Sequence, residues 1–118
     1  MPRDAYGDQL VEWGKAVAIE TRGRQSGRVV IATVGFVDEP DGSLLVAAGD
    51  SGANWVANLR AEPRCVVRVG TRRDHFIAEE LADADKPAAI TGLILKYGTP
   101  SERLGAGPAF RLRPDPAD

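Results

Sequence analysis

Apolar positions along the chain follow two different periods. Tyr6, Leu10, Trp13 and Val17 recur at spacings of four, three and four, the stripe of a helix, so residues 5–16 read as a short N-terminal helix. From Val17 onward the pattern is that of strands. Val17–Thr21 is a brief apolar run ending in Arg22-Gly23-Arg24-Gln25-Ser26-Gly27-Arg28, where two glycines suit a tight reversal. Val29–Val37 is rich in β-branched residues and stops at the turn signal Asp38-Glu39-Pro40-Asp41-Gly42. Ser43–Ala48 then reads as the returning strand of a hairpin.

After the punctuation at Gly49-Asp50-Ser51-Gly52, residues 54–62 read as a second helix. Asn54 would cap it, Trp55 and Leu59 share a face, and Pro63 forbids continuation. Cys65–Val69 and Asp74–Glu80 form a second hairpin around Gly70-Thr71-Arg72-Arg73. Asp85 and Pro87 open a third helix, with Ile90, Leu93, Ile94 and Tyr97 on one face, and Gly98 with Pro100 ends it. A glycine-rich loop leads to Ala109–Arg113, a half-buried closing strand, and the tail from Pro114 to Asp118 is expected to fray. About six hairpin-linked strands with two or three short helices argue for a mainly β, α+β chain built as a small antiparallel barrel. Trp13, Phe36, Leu45, Val46, Trp55, Leu59, Val67, Ile77, Leu93, Ile94 and Phe110 are its expected core.

Composition narrows the chemistry. With 118 residues, residues 1–118 read as one domain. A net charge of −2 gives no reason to expect a nucleic-acid partner. The single Cys65 rules out an internal disulfide and a multi-cysteine metal site. His75, the one histidine, lies mid-strand without any GxSxG elbow, which removes a hydrolase triad, and the glycines fit neither a Walker A loop nor GxGxxG. No catalytic side chain and no metal ligand emerge. No apolar run reaches membrane-spanning length, so a cytoplasmic protein is expected, and uncovered sheet edges make a homodimer the expected assembly.

One segment stands out. Of 15 basic residues only Lys15, Lys86 and Lys96 are lysines, and three arginines fall in Thr21–Arg28, TRGRQSGR. Converging turn amides, Ser26 and the guanidinium groups of Arg22, Arg24 and Arg28 could cradle an anion, although an ordinary solvated hairpin turn fits the same residues. Gly49–Asn54 is a second candidate, a glycine-rich loop feeding a helix N-terminus, with Asp50 opposing an anion there.

The pair TRGRQSGR and NWVANLRAEP, with the ending Leu95–Pro100 and Gly107–Pro114, resembles the deazaflavin-dependent nitroreductases, members of the split β-barrel flavin/deazaflavin oxidoreductases. The resemblance runs from about Val17 to Pro114. It implies a split barrel that binds the reduced deazaflavin coenzyme F(420) and passes hydride to a small electron-poor acceptor of nitro, quinone or enone type. It also implies cofactor contacts at Arg24, Ser26 and Arg28 of the turn and at Ala48, Gly49, Asp50, Ser51 and Trp55. Arg60 is a helix-end arginine of the family or a structural ion pair. The chain departs from the pattern at Ala48–Ala53, a loop about three residues shorter than in relatives that carries Asp50 and lacks their lysine, and at Arg24-Gln25, where a lysine-arginine pair would supply one more cation. FMN in place of the deazaflavin, or a non-catalytic or apo barrel module, therefore stays open at this point. Asp50 is expected to turn inward onto the amides of Ser51 to Ala53.

Overall fold

The computed structural model describes residues 5–49 and 52–116. Alternation governs β1 (Val17–Arg22): Val17, Ile19 and Thr21 are buried on its inner face, while Ala18 is buried on the other against α1 (Ala5–Glu12). Pairing then spreads sideways. β1 lies between β2 (Val29–Val34) and β5 (Arg64–Val69), and the sheet continues through β6 (Arg72–Glu80), β7 (Ala109–Pro114) and β4 (Leu44–Ala47) to β3 (Val37–Asp38). Every pairing is antiparallel.

The two edge strands of this seven-stranded sheet, β2 and β3, are consecutive in the chain, with only Gly35-Phe36 between them. The sheet must therefore curl until its edges approach. The result is the half-barrel that the hairpin pattern predicts. The strand count exceeds six because residues 29–37 are not one strand. They break at Gly35-Phe36 and step from one edge of the sheet to the other.

Inside the curl, Val17, Ile19, Val46, Val67, Phe76, Phe110 and Leu112 pack against α2 (Asn54–Ala61), which contributes Trp55, Val56 and Leu59. The Trp55 and Phe110 rings meet at 5.9 Å between centroids with a 53° tilt. A second cluster forms where α3 (Lys86–Tyr97) lays Ala89 and Leu93 on Ala47, Leu81 and Ala109. Among the described residues no helix is long and apolar enough to cross a membrane.

Several local expectations change. The first helix stops at Glu12, and the chain turns at Gly14, so Trp13 leaves the apolar stripe and is 59% exposed, while Val11 is fully buried in its place. The Tyr6 side chain lies outside the described residues. Leu45, Ile77 and Ile94 are half-buried rather than core, and the other expected core residues are buried. The α2 cap is Ala53, with no side-chain cap bond, so Asn54 is the first helical residue and not the cap. Residues 99–106 are not an open loop but a 3-10 helix, Thr99–Ala106, packed on α3. The tail is held further than expected, because Pro114 belongs to β7 and the Asp115 amide donates to the His75 carbonyl at 3.0 Å.

Candidate functional site

The β1–β2 turn is drawn tight by its own backbone. The Gly23 amide donates to the Arg28 carbonyl at 2.7 Å, and the Gly27 amide donates to the Gly23 carbonyl at 2.9 Å. Gly27 sits at φ +71°, a conformation that a side chain would strain. Ser26 Oγ accepts from the Arg28 amide at 3.2 Å, and Arg22 Nη1 donates to the Gly27 carbonyl at 2.8 Å. The amides of Gln25 and Ser26 take no part in the bonds that close the turn.

The apex of this turn leans on α2. Asn58 Oδ1 accepts from the Arg24 amide at 3.3 Å and from Arg24 Nη1 at 2.9 Å. Asn58 Nδ2 donates to Thr21 Oγ1 at 3.0 Å, and that hydroxyl donates to the Val30 carbonyl at 3.4 Å. Asn58 and Thr21 are both 1% exposed, so the interior ends of the network are shielded from water. At its outer end is a cleft of about 200 Å³ walled by Gly23, Arg24, Gln25 and Ser26 of the turn and by Asn54 and Asn58 of α2. Arg24 is exposed, with one guanidinium nitrogen committed to Asn58. Its remaining N–H groups, the Ser26 hydroxyl and the Asn54 amide are neutral or positive donors. An anion is the ligand such a wall suits.

The other sequence-derived candidates lie elsewhere. Arg22 borders a separate cleft of about 390 Å³ on the outer side of the sheet, with Glu20, Arg73 and His75. Arg28 is exposed at the base of the turn. Ala48 is buried, its amide donating to the Pro108 carbonyl at 2.9 Å, and Gly49 is exposed beside Leu104. Trp55 is buried on Phe110. Asp50 and Ser51, with the inward turn expected of the Asp50 carboxylate, lie outside the described residues. Arg60 forms a bidentate pair with Glu80 at 2.8 and 2.7 Å, which ties the end of α2 to β6. Cys65 is buried, and burial pushes its thiol up to about 12, the behaviour of a small core hydrophobe.

Asn58 is the residue of the candidate cleft that the sequence reading did not single out, and it joins Arg24 to Thr21 of the same arginine-rich segment. The signal for Asn58 was present: it is a poor helix former in the middle of α2, on the face shared by Trp55 and Leu59. A polar residue on a buried face needs a polar partner.

The sequence profile of the F(420)H(2)-dependent quinone reductases matches residues 3–98, which spans the turn, the cleft and all of α2. The chain belongs to this family. No curated protein matches it. Among solved structures it is similar to the F(420)H(2)-dependent reductase FDR-A, at 21% identity and a TM-score of 0.70, covering 84% of this chain and 94% of that one. A chain described as a domain-swapped dimer matches at 20% identity and a TM-score of 0.71, covering 92% and 94%. The heme storage protein HutZ from Vibrio cholerae matches at 18% identity and a TM-score of 0.69, covering 98% and 92%. These likenesses establish the fold. The family profile favours a deazaflavin, and the FMN alternative has no support from it.

Proposed function

We propose that this member of the F(420)H(2)-dependent quinone reductases reduces a small electron-poor acceptor of quinone, nitro or enone type. When bound, the deazaflavin supplies the hydride, and the protein supplies binding, orientation and electrostatics. The observation that carries the reading is Arg24, held at Nη1 by a buried amide and lining a cleft against α2. A phosphate or a glutamyl carboxylate fits that donor set. Arg24 would hold the anion, Ser26 would donate its hydroxyl, and Arg28 would add positive charge at the base of the turn. Ala48, Gly49, Asp50, Ser51 and Trp55 would border the ring-binding side. A single domain acting as a cytoplasmic homodimer completes the proposal, with Val29 and Ile31, 55% and 48% exposed on edge strand β2, at the contact.

Fluorescence titration of coenzyme F(420) into the protein tests the reading. Micromolar binding is expected, weakened by about 1.5–3 kcal/mol in Arg24→Ala, the range for hydrogen bonds to charged groups. Oxidation of the reduced coenzyme by menadione should follow. Binding without oxidation of any quinone, nitro or enone acceptor would reduce the protein to a carrier, and no binding at all would remove the proposal.

A further inference from the structure

We propose that Asn58 is a positioning residue that aims the Arg24 guanidinium at the anionic part of the cofactor, a role that rests on the Arg24 cleft being the cofactor's anion site. Each hydrogen bond in the chain of contacts has a fixed direction. The Thr21 hydroxyl gives its hydrogen to the Val30 carbonyl, so toward Asn58 it can only accept. The Nδ2 end of the Asn58 amide must therefore face Thr21, and the Oδ1 end must face Arg24. That one oxygen then accepts two N–H groups of the same residue, its amide and Nη1.

Two physical consequences follow. Arg24 lies on an exposed turn, where a free arginine side chain samples many rotamers, and an anion would have to order it on binding. Held at Nη1, the guanidinium is ordered beforehand, and that part of the binding penalty falls away. The holding group is also neutral. A carboxylate at position 58 would grip the guanidinium as firmly but cancel its charge, whereas the amide leaves the full positive charge for the cleft. Thr21 enters as the group that fixes which way the amide faces.

A plain structural role is the competing account: Asn58 staples the turn to α2 and so shapes every group of the cleft. The two accounts differ in whether the effect of Asn58 passes through Arg24, and a double-mutant cycle separates them. Coenzyme F(420) affinity is measured by fluorescence titration of the full chain, with thermal melts confirming that each variant is folded. Asn58→Ala should weaken binding about tenfold, and in an Arg24→Ala background the same change should matter less than about twofold. Asn58→Asp should also weaken binding and flatten its salt dependence toward that of Arg24→Ala. Should Asn58→Ala fail to fold, Thr21→Val carries the same comparison, with a loss in the wild-type background and none without Arg24.

Equal losses from Asn58→Ala with and without Arg24 would overturn the proposal in favour of the staple. Wild-type affinity in Asn58→Asp would overturn it as well. Loss in Arg24→Ala with none in Asn58→Ala removes the positioning role alone. Unchanged affinity in Arg24→Ala removes the anion site itself, and the positioning role with it.

Discussion

At the scale of single residues, burial decides behaviour that residue type alone leaves open. Cys65, the second residue of β5, has its side chain on the inner face, and desolvation pushes the thiol up to about 12. The thiolate is the reactive form, so at pH 8 the native protein should resist maleimide labelling and react only after denaturant is added. Labelling of native protein within minutes would show the interior open at β5. Phe110 is 2% exposed between Trp55 and the strands. Its truncation to alanine should lower unfolding stability by about 3–5 kcal/mol in a urea titration. Trp13, by contrast, is exposed, and Trp13→Ser should change stability by less than about 0.5 kcal/mol. The two tryptophans look alike in sequence. They differ because α1 ends one residue before Trp13, while Trp55 sits a full turn before Leu59 on the buried side of α2.

Between elements, two polar contacts add to the apolar packing of the half-barrel on its helices. The first is at the crossing from β2 to β3. Tyr97 Oη donates to the Lys15 carbonyl at 2.7 Å and accepts from the Phe36 amide at 3.1 Å, while Lys96 Nζ donates to the Phe36 carbonyl at 2.8 Å. A Cβ at Gly35 would lie 2.9 Å from the Tyr97 ring, so the close approach depends on glycine there. Tyr97→Phe leaves the Phe36 amide without its partner and should cost about 1–2 kcal/mol, read by chemical denaturation. The second contact is Arg60 on Glu80. The hydrogen bond from Arg60 holds the Glu80 carboxyl below its ordinary 4.5. As pH falls, the unfolded chain therefore takes up this proton first. The contribution is complete above about pH 4.5 and disappears as pH drops through the folded value. Arg60→Gln should thus destabilise slightly at pH 7, and the difference from wild type should vanish in acid. A difference that persisted undiminished at pH 2.5 would assign the effect to packing of the arginine stem, since this pair is 47% and 39% exposed and screened by water.

For the whole molecule, the edge strand β2 shows what a monomer leaves uncovered. Its residues alternate between half-buried and exposed, and Val29 and Ile31 face outward beside charged groups of β1. A homodimer that covers them would be split by Val29→Glu with Ile31→Glu. Sedimentation should then report a monomer whose melting temperature stays close to wild type. A monomeric wild-type protein at high concentration would refute the assembly.

Much of the plan was legible along the chain because it depends on local chemistry. Turn clusters at residues 22–28, 38–42 and 70–73 mark hairpins, Pro63 and Gly98 stop helices, and TRGRQSGR marks an arginine-rich reversal whatever surrounds it. The short-range pattern could not place the step at Gly35-Phe36. Residues 29–37 remain a β-branched run whether or not the sheet curls, and only closure against Tyr97 breaks it in two. Nor could it choose among the arginines of the turn. Arg22, Arg24 and Arg28 are equivalent as letters, and what separates them is a contact 34 residues away, where Asn58 meets Arg24 and not its neighbours. Local sequence sets which groups are available. The long-range packing of α2 against β1 and the turn decides which of them is held still, and a held donor is what a binding site requires.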